Sequence, residues 1–208
     1  GRQADADKRT KHLNQIDDQI GRLTRLIDDL QTMSRLDSAP AFSLVQADLT
    51  KFVRTLWEKT AASFSDRIFE ADIPNQPLIC AIDQAQLDQA LSRLIDNAIR
   101  YSKQHTVIRL ALSGMNGHAR ITLQDHGIGM DAETVSKATQ RFYRKDNAHT
   151  TAGFGLGLPI AKSIIELHGG TLTLTSVAGQ GTTIQIDLPL TADVLVRPSA
   201  AHRTALSA

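Results

Sequence analysis

Two glycine clusters, placed at opposite kinds of junction, constrain this chain most. Asp125-His126-Gly127-Ile128-Gly129 follows an alternating stretch through Ile121 and Leu123 that reads as a strand. Gly153-Phe154-Gly155-Leu156-Gly157-Leu158 runs into an apolar helical pattern ending near Leu167. Glycine tolerates backbone conformations and close approaches that a Cβ forbids, so each cluster marks a place where backbone comes close to something else. A carboxylate at a strand end can receive an amine, and bare N–H groups at a helix start can meet an anion. The second cluster is not a dinucleotide loop, because no parallel strand-helix-strand unit surrounds it and its third glycine comes too early. Nor is it a Walker loop, since no Gly-Lys-Ser or Gly-Lys-Thr follows.

The elements around these clusters alternate between two periods. Leu87, Ala90, Leu91, Leu94, Ile95 and Ala98 recur at helical spacing and mark a helix starting near Asp83. Phe42 to Val45 is a short strand candidate, Asp48 can N-cap a helix to about Ser63, and Ile68 to Ile73 and Leu78 to Ile82 read as strands around Pro74-Asn75-Gln76-Pro77. Leu110 and Leu112 lead into Asn116-Gly117 and Ile121 and Leu123 lead out, a hairpin with an expected loop of more than two residues. Leu172 and Leu174 face Ile184, Ile186 and Leu188 across Gly179-Gln180-Gly181 in a second hairpin. Pro159 fits the first turn of the helix from about Leu156, and Gly169-Gly170 can end it. The predicted class is α+β, a mixed and mostly antiparallel sheet with helices on one face.

Ahead of this lies a different pattern. Leu13, Ile16, Ile20, Leu23, Ile27 and Leu30 alternate steps of three and four among polar residues, a coiled-coil-like seam or a helix packing on its own domain. Ser38, Ala39 and Pro40 stop it. The expected organisation is a flexible start or tag remnant over 1–10, a long helix over 11–38, the main domain over 41–190 and a flexible tail over 191–208. The formal net charge of +1 lacks the basic face that nucleic-acid binding needs, and one cysteine, Cys80, excludes an internal disulfide and suits a reducing compartment. No run approaches the roughly 20 apolar residues of a membrane span. The expectation is a cytoplasmic location, and the start at Gly1 suggests an excised piece whose parent could be membrane-anchored.

Several side chains are placed to carry chemistry. Asn97 sits beside the apolar stripe of its helix, where its amide can face a cleft and its carbonyl can coordinate a hard cation such as Mg²⁺, or can simply cap or face solvent. Arg100 and Lys103 can neutralise phosphate charge, and Tyr101, one turn on, can line a pocket. Asp125 can project over the sheet edge and accept from an exocyclic amine, or close an Asx turn.

The order and spacing of Arg93-Leu94-Ile95-Asp96-Asn97-Ala98, Asp125 to Gly129, Arg141-Phe142-Tyr143-Arg144 and Gly153 to Leu158 resemble the N, G1, F and G2 boxes of the ATP-binding domain of two-component sensor histidine kinases. The resemblance covers roughly residues 83 to 190, and a weaker match to the second dimerization helix, ending at Leu26 to Asp37, extends it to about residue 13. It implies a Bergerat fold, with ATP and Mg²⁺ as cofactors. Asn97 would be the metal ligand and, with Arg144, catalytic. Asp125 would read the adenine amino group. Gly127, Gly129, Gly153, Gly155, Leu156, Gly157 and Leu158 would shape the nucleotide site, and Met130 to Ala152 would be a mobile lid with Arg144 reaching phosphate or the acceptor helix and with Phe142 as its anchor, or else as a plain core residue. A response-regulator receiver domain and a second copy of the chain, joined through the N-terminal helix, are the implied partners.

Two departures limit the implied activity. Where gyrase-like and chaperone ATPases of this fold carry a water-activating Glu, one turn before the metal-binding Asn, this chain has Arg93, and arginine is no general base at neutral pH. None of the seven histidines has the acidic neighbour and following proline of the family's phospho-acceptor, and His12 reads as a solvent-facing helix residue. The expected function is therefore the ATP-binding catalytic module of a sensor histidine kinase, able to bind nucleotide but not to autophosphorylate alone. A nucleotide-binding pseudokinase or scaffold is the alternative, and an anti-sigma-type serine kinase fits less well because it lacks a leading dimerization helix.

Overall fold

The computed structural model describes residues 2–38, 42–64, 66–144 and 154–191. A long helix α1 (Arg2–Asp37) precedes β1 (Val45–Asp48), α2 (Leu49–Ser63), β2 (Ile68–Asp72), β3 (Ile79–Ile82), α3 (Gln84–Tyr101), β4 (Val107–Met115), β5 (His118–Gln124), α4 (Ala132–Lys137), α5 (Gly157–Leu167), β6 (Thr171–Val177) and β7 (Gly181–Pro189). Five strands form one sheet in the order β2-β4-β5-β7-β6, with β2–β4 parallel and the other three pairings antiparallel. β1 and β3 make a separate antiparallel pair. This is the mixed, mostly antiparallel α+β sandwich that the sequence pattern implies.

Helices α2 and α3 form where a cap and an apolar stripe agree. Asp83 starts α3 by accepting from Gln86 N at 3.2 Å, and the stripe from Leu87 to Ala98 is buried throughout, at 0 to 4% exposure. Asp48 does the same for α2, accepting from Lys51 N at 3.2 Å. Leu94, Ile108, Ile121, Ile160, Ile164 and Ile186 are among the fully buried side chains that join α3 and α5 to the sheet in one core. The sheet thus forms a packed floor, and α3 and the strand ends position the site on it.

Several expectations are corrected. α1 begins at Arg2, so the stretch over 1–10 that was expected to be a flexible start is helical from its second residue. The first strand starts at Val45 rather than Phe42. The strands expected on either side of Pro74 to Pro77 are present, in different sheets, β2 pairing with β4 and β3 with β1. The loop between β4 and β5 has two residues, because Met115 pairs with His118 and both Asn116 (φ 52°) and Gly117 (φ 76°) take the left-handed conformation of a type I′ turn. Within the expected lid lies α4, capped by Asp131 accepting from Thr134 N at 2.8 Å. The linker at Ala39 and Pro40, the lid from Lys145 to Ala152 with Gly153, and the tail from 192 onward lie outside the described residues.

His168 shows what the histidine spacing could not. It closes α5 at 3% exposure, accepts from Asp83 N at Nε2 over 3.0 Å, and so carries its proton on Nδ1, which donates to Ile164 O at 2.7 Å. Phe42 meets its ring edge-on at 5.2 Å. The ring ties the start of α3 to the end of α5. His168→Ala leaves a buried N–H without an acceptor and opens a cavity, and an expected loss of about 2–4 kcal/mol in a urea titration follows from those two costs. An unchanged midpoint would show that water replaces the ring.

Among the described residues, α1 meets the domain through its C-terminal part, from Arg25 and Leu26 onward. Thr32, Met33 and Leu36 are buried, Gln89 Nε2 donates to Thr32 Oγ1 at 3.3 Å, Arg93 pairs with Asp29, and Arg141 donates to both oxygens of Asp37 at 2.9 and 2.6 Å. That last pair holds the Asp37 carboxyl below its ordinary value. The seam Leu13, Ile16, Ile20, Leu23, Ile27 and Leu30 remains 43 to 61% exposed. Among the described residues no helix is long and apolar enough to cross a membrane.

Candidate functional site

The site is built on the junction where β5 ends beside the start of β7. Asp125 N donates to Thr182 O at 2.9 Å, which prolongs the ladder by one residue and turns the side chain into the space beside α3. The carboxylate is 8% exposed, and one oxygen, Oδ1, accepts both from Gly127 N at 2.8 Å and from Thr182 N at 3.2 Å. Oδ2 accepts no bond from the described residues. Burial raises the Asp125 carboxyl above its ordinary value, while the bonds from Gly127 and Thr182 and the nearby His126 oppose that rise. The result is an oriented carboxylate with one satisfied and one available oxygen in a low-dielectric wall.

The glycines around it are required by contact. Ile128 N donates to Tyr101 O at 3.1 Å, and a Cβ on Gly127 would overlap that same carbonyl. Gly129 has φ 60° and would collide with the Val177 carbonyl, so the turn after Asp125 is pressed between the end of α3 and the β6–β7 hairpin. Phe142 N donates to Gly155 O at 3.1 Å, and Gly155, at φ 72°, has no room for a Cβ, which would fall 2.6 Å from Tyr143 O. Phe142, inside the expected lid, is thereby clasped to Gly155, just beyond the lid's end.

A cavity of about 640 Å³ opens over this junction, within the roughly 300–1,000 Å³ of small-molecule sites. Arg93, Asn97 and Tyr101 line it at one-turn spacing along α3, with Arg100 beside them. Asp125, Gly129, Arg144, Gly155, Gly157 and Leu158 also line it, over apolar ground from Leu123, Leu174 and Ile184. Asn97 Nδ2 lies 3.8 Å from where a Gly157 Cβ would stand, so the helix start of α5 faces the Asn97 amide directly. Asp96 is raised by burial, an effect that Arg100, Arg93 and Arg25 oppose.

Four expected residues, Lys103, Gly127, Phe142 and Leu156, stand outside the cavity lining, and a fifth, Gly153, cannot be placed. Lys103 is exposed beyond the end of α3 and does not line the cavity. Gly127 acts through backbone packing rather than as a wall. Phe142 is 59% exposed at φ 63° and, with the fully buried Leu156, lines a separate groove against Met33 and Asp37 of α1, so it is not a core residue. Gly153 lies outside the described residues. Conversely, Thr182 is a site residue that sequence reasoning missed. Its signal was Gly179-Gln180-Gly181-Thr182, which is a hairpin turn by pattern and is revealed as the second clamp on Asp125 only by the β5–β7 register. Arg25, Asp28 and Asp29 of α1, also missed, close one side of the cavity.

This geometry agrees with comparisons to known proteins. Residues 82–192 match the family described as histidine kinase-, DNA gyrase B- and HSP90-like ATPase, and the chain belongs to that family. The sensor histidine kinase WalK of Bacillus subtilis is 33% identical over 174 residues, covering 81% of this chain and 28% of the relative. The sensor protein kinase WalK of Staphylococcus epidermidis gives 33% over 173 residues with the same coverage. The chain therefore spans little more than a quarter of the length of these relatives. Among solved structures, the mycobacterial sensor histidine kinase MprB superposes with a TM-score of 0.62 at 28% identity, covering 71% of this chain and 97% of that one. The Acinetobacter baumannii histidine kinase AdeS, at 22% identity and a TM-score of 0.67, shares the fold over 84% of this chain and 82% of its own. The chain is thus an ATP-binding catalytic domain of the two-component histidine kinase type.

Proposed function

We propose that the chain serves a sensor histidine protein kinase by positioning Mg-ATP so that its γ-phosphoryl group passes to a histidine on a dimerization helix and then to a response-regulator aspartate. The observation that carries this reading is Asp125. A buried carboxylate with one oxygen fixed by Gly127 and Thr182 and the other facing a cavity is a selective acceptor for an exocyclic amine such as that of adenine. Arg100, Arg144 and the start of α5 bring positive charge and N–H groups to the other part of the same cavity, where phosphates need them.

The residues also fit Mg²⁺. Among the described residues no group of three acidic or histidine ligands could hold a cation alone, and Asn97 offers a single amide oxygen within the phosphate region. That donor set suits a hard ion that takes most of its oxygens from phosphate and water. When bound, the ion would neutralise phosphate charge. Asn97 would hold it, Asp125 would orient the base, and the clasp between Phe142 and Gly155 would tie the lid's anchor to the glycine segment before α5.

Residues 11–38 act in this reading as the second dimerization helix and 41–190 as the catalytic domain, on the cytoplasmic side. Taking 100° per residue, the exposed seam of α1 is centred roughly 140° around the helix from the stripe that meets the domain, so a second copy can cover it without displacing the domain. The test is calorimetry with ADP and a non-hydrolysable ATP analogue, followed by phosphorylation in trans of an acceptor-helix polypeptide. Asn97→Ala is expected to weaken nucleotide binding about tenfold with Mg²⁺ present and hardly at all in chelator, the loss of one ion ligand. Equal weakening in both conditions would remove the metal role from Asn97.

A further inference from the structure

Arg93 occupies the position one turn before Asn97, and the proposed function gives it no task. It lines the same cavity, and its side chain is only 19% exposed. Its Nη1 donates to Asp29 of α1, itself 15% exposed. Its Nε is buried and finds no hydrogen-bond partner among the described residues. An arginine is permanently charged and carries five donors, so a single carboxylate oxygen leaves most of its capacity unused. Asp96 is a second acid near it, and that carboxyl is also shared with Arg100 and Arg25.

We propose that Arg93 is a terminal-phosphate ligand held in reserve by Asp29, so that a nucleoside triphosphate and helix α1 compete for one guanidinium. The proposal rests on the nucleotide reading of the cavity. Arg93 and Asn97 stand about 6 Å apart along the axis of α3 and face the same space, so a guanidinium there can meet the phosphate end that Asn97 serves. A terminal phosphate offers two or three oxygens to the planar fork where Asp29 takes one bond. A diphosphate ends one group short of that reach. Binding of a triphosphate would therefore withdraw Arg93 from Asp29 and loosen α1 at the point where it walls the cavity, while a diphosphate would leave the pair intact. By linkage, α1 docked through Asp29 lowers triphosphate affinity to the extent that triphosphate weakens docking.

The test is a double-substitution cycle on the whole chain, Asp29→Asn and Arg93→Gln singly and together, titrated with ADP and with a non-hydrolysable ATP analogue in Mg²⁺. Arg93→Gln is expected to weaken the analogue about tenfold, the scale of one charge-assisted contact, and ADP by less than about twofold. Asp29→Asn should tighten the analogue severalfold while Arg93 is present and change nothing once Arg93 is Gln. Hydrogen exchange supplies an independent readout: the analogue, but not ADP, should speed exchange in α1 around Asp29 to Met33. Equal losses for ADP and analogue in Arg93→Gln, or a gain from Asp29→Asn that persists without Arg93, would overturn the competition. Failure of the unsubstituted chain to bind either nucleotide would overturn the nucleotide reading itself, and this proposal with it.

Discussion

Asp125→Asn abolishes nucleotide binding while leaving the fold intact: that is the expected outcome of substituting one oxygen by an amide nitrogen. The asparagine can still offer Oδ1 to Gly127 N and Thr182 N, so the local turn keeps both of its bonds. Its other atom then becomes an NH₂ where a carboxylate oxygen stood, and a donor faces the donor of an exocyclic amine. Loss of a charge-assisted bond together with a buried clash of donors costs about 3 kcal/mol or more, which is a loss of affinity of at least about a hundredfold. Calorimetry with ADP, beside a thermal melt that should move little, checks both halves. Acid gives a second test of the same group. Burial raises the Asp125 carboxyl, so it becomes protonated at a higher pH than an ordinary carboxylate, and affinity should decline on acidification before exposed carboxylates titrate. The stability contribution has the opposite sign. A carboxyl raised in the folded state favours folding as pH falls through its folded value, so weakened binding there is not a sign of unfolding at this group. Tight binding by Asp125→Asn would remove Asp125 from base recognition.

The second large effect is expected at Gly181. Its φ of 110° is closed to L side chains without strain, and a Cβ would overlap the Asp125 carbonyl and approach His126 Cα at 2.8 Å. None of those atoms is the end of a flexible side chain. Gly181→Ala should therefore destabilise the domain by about 3 kcal/mol and push β7 away from Asp125, carrying the Thr182 N–H out of reach of the carboxylate. Denaturant unfolding with nucleotide titration would register both losses. Gly179→Ala is the informative control, because at φ 79° it carries the strain of a left-handed position but meets nothing within 4 Å. Equal behaviour of the two variants would show that strain, rather than the contact with Asp125, sets the cost.

How far these features were legible depended on whether a residue's neighbours are near in sequence. The helix over Gln84–Tyr101 was readable because its stripe and its Asp83 cap are local patterns, and the hairpins because alternation and glycine turns are local as well. Asn97 and Asp125 were readable as a spacing. Thr182 was not, because its role exists only when β5 and β7 pair antiparallel in one register, and 57 residues separate it from Asp125. His168 was opaque for the same reason, its partner Asp83 lying 85 residues away. The loop at Asn116-Gly117 was misjudged in length because the strands continue through less apolar residues, Ser113 to Met115 and His118, whose alternation is weak. Arg93 was legible only as a departure from the pattern of related ATPases, since its partner Asp29 lies 64 residues away on α1.

Among the residues through which α1 touches the domain, Asp29, Thr32, Met33, Leu36 and Asp37 recur at steps of three, one, three and one. They form a single stripe two turns long. A helix so attached responds to torsion as a unit: a turn about its axis by about 100°, the angle of one residue, takes every member of the stripe away from its own partner in the same motion. Two carboxylates, one hydroxyl and two apolar side chains then leave together, so attachment is lost as a set and not contact by contact.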